Sequence, residues 1–279
     1  MYVPFSTECY PGEYIDVVSE VCPELPIFGC VVSANSTYDD SDGNAKSGIL
    51  TLNDKSILSD SVMMLLISGN IEPKFFVSSF SEEAIVTERI GSVSKCERNK
   101  ILEINNVNAT DFLKKYGFEA VMDAADKSDK GLMTSSFILD YGNHCDVKCK
   151  ADCKAASQII SRAPLELTNE GVICGGNIKE GASLSIALST PASVIGSAEK
   201  MIETIKKADV KTVLMYSCEG RQAGLYAKSM EELETIKAGL SGNVNYTVAY
   251  VGGEICPTCV TPQKANNHEH NQTLIACAF

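Results

Sequence analysis

The chain has 279 residues, 44% hydrophobic and 22% charged, enough to bury a large core in one sizeable domain or two tightly packed ones. Its formal net charge of −12 opposes phosphate backbones and anionic lipid, which argues against nucleic acid and membrane surfaces as partners. No apolar run is long enough to span a bilayer and no basic-then-apolar leader follows Met1, so the expected setting is cytoplasmic, with the twelve cysteines as reduced thiols rather than a disulfide scaffold.

In chain order, Tyr2 to Ser6 predicts a strand, and Tyr14, Val17, Val18 and Val21 recur at helical spacing until Pro23 and Pro26 close that helix. A buried strand follows at Ile27 to Val32, a turn at Asp39 to Asn44, and strands at Ile49 to Leu52 and Val62 to Ile67. Short alternating runs continue from Phe75 to Ile104. Thr110 is read as the cap of a helix over Asp111 to Tyr116, ended by Gly117. Strands are expected at Phe137 to Leu139 and Leu165 to Leu167, then at Val172 to Asn177 and Ser183 to Leu188, which read as a hairpin through Lys179-Glu180-Gly181.

Thr190-Pro191 opens a helix whose inner face is Val194, Ala198, Met201, Ile205 and Ala208. Val213 to Ser217 is a strand. Ser229 and Glu232 then form a capping-box pattern for a helix with Met230, Leu233, Ile236 and Leu240 inward, followed by strands at Val248 to Val251 and Leu274 to Phe279. Both ends of the chain thus run strand, helix, strand, loop, strand. The expectation is an α+β fold of mixed, largely antiparallel sheets with helices packed on them, containing two pseudo-repeated strand-helix-strand units.

Chemistry collects where apolar runs give way to polar groups in the last third. Arg221 offers a planar fork for a carboxylate or phosphate, and Glu254 offers an acceptor for an ammonium, so the two together complement a zwitterion unless they simply pair with each other. Asn271, Gln272 and Thr273 orient a ligand or seal a loop onto a sheet. His268 and His270 share a face if extended, where they bind a metal or sit in a surface loop. His144, Cys145, Cys149 and Cys153 form the most metal-like cluster, although the spacing matches neither common zinc nor iron–sulfur patterns. Cys256-x-x-Cys259 lacks the following helix that redox chemistry needs. Cys218 beside Arg221 is a candidate nucleophile, without a histidine and carboxylate set to activate it.

Three segments carry a resemblance: Ser217-Cys218-Glu219-Gly220-Arg221, Gly253-Glu254-Ile255 and His270-Asn271-Gln272-Thr273-Leu274. They resemble the Cys-x-x-Arg, Gly-Glu-Ile and terminal His-Asn-Gln-Thr-Leu signatures of the FIST family, a sensory module of bacterial signalling proteins and some eukaryotic F-box proteins. Weaker similarity covers Val93 to Asn99, Phe112-Leu113 and Lys179-Glu180-Gly181. The resemblance implies a truncated or divergent N-terminal-like half over residues 1–125 and a C-terminal-like half over 126–279, packed as one compact unit. It also implies a cytoplasmic sensor of small molecules such as amino acids, acting with a signalling partner or output domain, while some relatives are similar to haem-binding nitric-oxide sensors.

The expected ligand-binding residues are Cys218, Arg221, Gly253, Glu254, His270, Asn271, Gln272 and Thr273. No cofactor is expected; haem, zinc or an iron–sulfur cluster on the His and Cys residues is one alternative, and a cysteine-dependent enzyme is another.

Overall fold

The computed structural model describes residues 3–4, 11–31, 49–50, 57–58, 61–62, 64–80, 84–85, 89–116, 135–141, 159–225, 228–242 and 244–279. The turn at 39–44 and the stretch with His144, Cys145, Cys149 and Cys153 lie outside the described residues.

In chain order the elements are β1 (Val3–Pro4), α1 (Pro11–Val21), β2 (Gly29–Val31), β3 (Ile49–Leu50), β4 (Ile57–Leu58), β5 (Ser61–Val62), β6 (Lys74–Ser78), β7 (Gly91–Glu97), β8 (Lys100–Ile104) and β9 (Val107–Asn108). They continue with α2 (Ala109–Lys114), β10 (Ser135–Asp140), β11 (Ile159–Arg162), β12 (Pro164–Thr168), β13 (Gly171–Cys174), β14 (Ser183–Leu188) and α3 (Pro191–Lys207). The last third holds β15 (Thr212–Cys218), α4 (Glu219–Gly224), α5 (Glu231–Leu240), β16 (Asn245–Val251), β17 (Gly253–Val260), β18 (Ala265–His270) and β19 (Leu274–Ala278).

The fold is α+β, and its pairings are antiparallel among the described residues except for the parallel pair β15 and β16. One sheet runs β11-β10-β14-β7-β8-β13-β12, with β9 beside β8; a second runs β16-β15-β19-β6; a third runs β18-β17-β2. Strands from either side of residue 125 share all three. β7 and β8 pair with β14 and β13, β6 with β19, and β2 with β17. The two strand-helix-strand units take different partners: β2 adds antiparallel to β17, whereas β15 and β16 lie side by side in parallel.

Two apolar clusters hold the sheets. Phe112 and Leu113 of α2 pack with Ile101, Ile104, Phe137, Leu139, Val172 and Leu184 on the first sheet. Ala198, Met201, Ile202 and Ile205 of α3 pack with Ile236 and Leu240 of α5 over Val213, Met215, Leu274 and Ala276. Each fully buried aliphatic or aromatic side chain contributes roughly 1.5–3 kcal/mol, which is why the helical spacing at 194, 198, 201 and 205 was visible in the sequence. The cap of α3 is as expected, with Thr190 and Ser193 exchanging side-chain to backbone hydrogen bonds of 3.2 and 2.9 Å.

Several expectations are overturned. Segments 172–177 and 183–188 are not a hairpin: β13 pairs with β12 and β8, and β14 with β10 and β7. The chain between them crosses from one partner to the other, tied down by Ile178 N–H to Arg98 O and Gly181 N–H to Val93 O. The cap of α2 is Asn108, whose Oδ1 accepts from the backbone N–H groups of Thr110 and Asp111, while the Thr110 hydroxyl donates to Thr168 O at 2.7 Å. α5 has no side-chain cap; Glu232 points inward instead, and Met230 is 49% exposed. Among the described residues of the apolar run expected as a strand at 62–67, only Val62 is in one; residues 64–68 form no regular structure and Leu65 and Leu66 are exposed.

Candidate functional site

The site is built where β17 and β18 meet β11, the end of β15 and the turn 271–273 that carries β18 into β19. His268 and His270 lie in β18, not in a surface loop, because that strand pairs along β17 with Glu254 opposite His270 and Cys256 opposite His268. Gln272 in the turn adopts a left-handed φ of 56°, a conformation that costs a non-glycine residue about 1 kcal/mol and is tolerated where the surroundings fix it. Its Nε2 donates to Ser135 O at 3.0 Å, pinning the turn to β10. Asn271 pins it to β11: its backbone N–H donates to Ser161 O, and its Oδ1 accepts from Ala163 N–H at 3.3 Å.

All eight residues singled out from the sequence are buried, and the fold brings them together. Glu254 Oε2 accepts from Thr273 N–H at 3.0 Å and from Thr273 Oγ1 at 2.6 Å. The Cys218 thiol, at the end of β15, stands against the same carboxylate, and burial encloses Glu254 Oε1 beside it. Gly253 lies against Asn271, and Gly220 against Gln272 and Cys218. His270 Nε2 engages Cys256 O at 3.0 Å while its Nδ1 is enclosed without a partner.

Arg221 does not pair with Glu254. Its Nε and Nη2 donate to Glu232 Oε1 at 2.9 and 2.5 Å, and Nη2 also to Ser197 Oγ at 2.8 Å and Val194 O at 3.1 Å. Ser217 Oγ donates to the other carboxylate oxygen of Glu232 at 2.8 Å, and Tyr250 stands beside it, its hydroxyl pushed up by burial first and by Glu232 second. The anion on Arg221 is therefore an internal one, supplied by a residue the sequence reading assigned to a helix cap.

The sequence reading also missed Arg162 and Glu269. Arg162, the last residue of β11, is 4% exposed and its guanidinium donates to backbone carbonyls: Nε to Asn177 O at 3.1 Å, Nη1 to Ser161 O at 3.0 Å and to Glu269 O at 2.6 Å. Glu269, 5% exposed, has Oε2 enclosed without a partner. The signal in the sequence was a single charge ending the apolar run Ile159-Ile160, since a charge in a buried strand needs a compensating reason. Ser135, Ser161 and His268 add further enclosed polar atoms without partners among the described residues.

Burial dominates the titration of these groups. It pushes Glu254 up to about 8 against the Thr273 hydrogen bonds, and Glu269 up to about 7 against the pull of Arg162 and the Gly12 N–H at the start of α1. Burial likewise pushes His268 down to about 3 and His270 down to about 4. The Cys218 thiol is pushed well up by burial and then by Glu254, so it is protonated at neutral pH and has no activating base.

These shifts have opposite signs for stability. Unfolded carboxyls titrate near 4.5, so the contribution of Glu254 and Glu269 is fully present below about 4.5 and is lost as the pH rises through about 7 and 8. The unfolded imidazoles titrate near 6.5, so the histidine contribution is present above about 6.5 and is lost as the pH falls through about 4 and 3. The two oppose each other between about pH 4.5 and 6.5, and above that only the carboxyl effect remains. The thermal midpoint is therefore expected to rise from about pH 3 to about 4.5, to stay roughly level to about 6.5 and to fall towards about pH 8. A midpoint that rises over that upper window contradicts the burial of these carboxyls.

No group of three or more His, Cys, Asp or Glu side chains among the described residues is placed to hold a metal ion. No described helix is long and apolar enough to cross a membrane.

Fold and site together define an α+β module whose sheets meet on an enclosed polar seam. Residues 109–257, just over half of the chain, match the family model of the FIST C domain. The chain belongs to the FIST family, a family of sensory domains in signal transduction. No curated protein and no solved structure matches the chain.

Proposed function

We propose that this FIST protein is a cytoplasmic sensory module that encloses a small polar, amino-acid-like ligand in the seam between β11, β17, β18 and the turn 271–273, and passes the change to a signalling partner or output domain. The observation that carries this reading is a set of enclosed polar atoms without partners on the strands around the turn 271–273: His268 Nε2 and His270 Nδ1 on one face of β18, Glu269 Oε2 on its other face, and Ser135 Oγ and Ser161 Oγ on β10 and β11. Folded proteins pair nearly all such atoms with protein or ordered water, and each one left alone costs about 1–3 kcal/mol. A polar guest beside such atoms relieves that cost.

In this reading Cys218, Gly253, Glu254, His270, Asn271, Gln272 and Thr273 line the seam, and Arg221, already neutralised by Glu232, holds its wall. The parts 1–125 and 126–279 act as one unit, because strands from both share sheets. A ligand favouring one arrangement of those sheets shifts the population by its difference in affinity, which is the means of signalling.

Native mass spectrometry of gently purified protein is expected to show a retained small molecule, and calorimetry to show that it, or a free amino acid, rebinds. Hydrogen exchange should then slow at amides of 161–163 and 271–273. Absence of any retained or rebinding molecule, or protection confined to other segments, overturns the reading.

A further inference from the structure

The outer side of α1 carries apolar residues that the fold leaves uncovered. The helix buries Ile15 on its inner side, while Val17 is 59% and Val21 75% exposed, on one helical face with the half-buried Tyr14. The Tyr14 hydroxyl donates to the Met64 sulfur, which brings a second apolar stretch alongside. In that stretch Leu65 and Leu66 are 76% and 78% exposed, and Met64, Ile67 and Ile71 are exposed as well. Single exposed apolar residues are ordinary, but a set of them on two adjoining segments marks a surface that another molecule covers.

Charge narrows what that molecule is. Glu13 and Asp16 of α1 pair with Arg98 and Lys179. Glu20, Glu24 just past the helix and Glu72 beside Ile71 are exposed and form no ion pair among the described residues. A second copy would bring this acidic rim against itself, and an anionic bilayer would be repelled by it and by the net charge of −12. A helix with apolar residues on one side and lysines or arginines on the other satisfies both parts of the surface.

The inner side of α1 is tied to β18, the strand that carries His268, Glu269 and His270. Asn267 Nδ2 donates to Ser19 Oγ at 3.2 Å and to Leu25 O at 2.9 Å, and Ala265 N–H donates to Pro23 O at 2.7 Å. At the other end of the helix the Gly12 N–H engages the Glu269 carboxylate. A shift of β18 is therefore carried to α1 at both its ends.

We propose that the outer face of α1, together with residues 64–71, is where the signalling partner docks, and that the partner presents a basic amphipathic helix there. Its apolar side lies on Val17, Val21, Leu65 and Leu66, and its cations lie against Glu20, Glu24 and Glu72. This gives the partner of the sensory reading its chemistry and its place, and rests on that reading for what the docking reports.

The test uses the full chain and a fluorescein-labelled peptide of about 18 residues with leucine and lysine at helical spacing, followed by fluorescence anisotropy. The peptide is expected to bind the wild type, more weakly as salt rises, while its counterpart with glutamate in place of lysine does not bind. Val17→Ser with Val21→Ser, and separately Glu20→Lys with Glu24→Lys, should each weaken binding about tenfold or more. Met230→Ser with Glu234→Lys makes the same kinds of change at exposed positions of the α5 region and should leave binding unchanged. All three double variants alter exposed side chains and should unfold near the wild-type midpoint. No binding by the wild type, an equal loss in the α5 variant, or indifference to either α1 variant overturns the proposal. So does a wild-type dimer in sedimentation, or attachment to phosphatidylserine vesicles, that Val17→Ser with Val21→Ser abolishes, since either gives the face a different occupant. These results leave the sensory reading standing, because retention and rebinding of a small molecule are measured without the peptide. A chain that docks the peptide yet retains and binds no small molecule keeps the surface and loses the sensory reading.

Discussion

Glu232→Ala is expected to cost about 3–5 kcal/mol of folding stability, because it leaves the guanidinium of Arg221 buried without its counter-charge. Arg221 is 1% exposed, and two of its donors converge on one oxygen of Glu232. After the truncation only Ser197 Oγ and the Val194 carbonyl remain to it, and the Ser217 hydroxyl loses its acceptor as well. The cost is the penalty of a stranded charge, which is larger than the net worth of the intact pair. The double variant Arg221→Met with Glu232→Leu is therefore expected to be more stable than either single truncation, since it removes both charges and fills the space. Urea unfolding of the three variants measures both statements. A single Glu232→Ala loss below about 1 kcal/mol shows that the pair is solvated and that the role assigned to it is wrong.

The second large effect is expected at Phe137→Ala, about 3–5 kcal/mol, from lost apolar burial and the cavity left behind. Phe137 is fully buried in the cluster beneath the first sheet, at the centre of β10. Its register partner on β11 is Arg162, and on β14 it is Ile186. The same strand supplies the Ser135 carbonyl that holds Gln272. Loosening β10 therefore acts on both ends of the polar seam, and ligand binding should weaken together with stability. Phe137→Leu keeps most of the volume and should lose much less of both. A stable Phe137→Ala protein, unfolding near the wild-type denaturant midpoint, would mean that the ring is not part of a close-packed core.

Much of the chemistry was legible because it sits in contiguous segments. The runs around Cys218, Gly253-Glu254 and His270 to Thr273 mark strand ends, and the fold does bring those ends together. Partner choice was not legible. Arg221 meets Glu232, eleven residues away on another helix, and a capping-box pattern reads the same whether its glutamate turns to the backbone or to the core. Arg162 and Glu269 are 107 residues apart, and nothing local to either reveals that the guanidinium donates to the Glu269 carbonyl.

By itself the sequence determined the α+β class, the helix at 191–207 with its cap, and the apolar strands around 137 and 213, because each depends on the periodicity and chemistry of neighbouring residues. Tertiary structure alone decided the pairing of β13 with β8 and of β14 with β10, the burial of β18, and which carboxylate answers which arginine. Hydrogen-bond ladders and ion pairs join groups distant in sequence, and many candidate partners have equal local propensity. The choice among them is made by the packing of whole sheets.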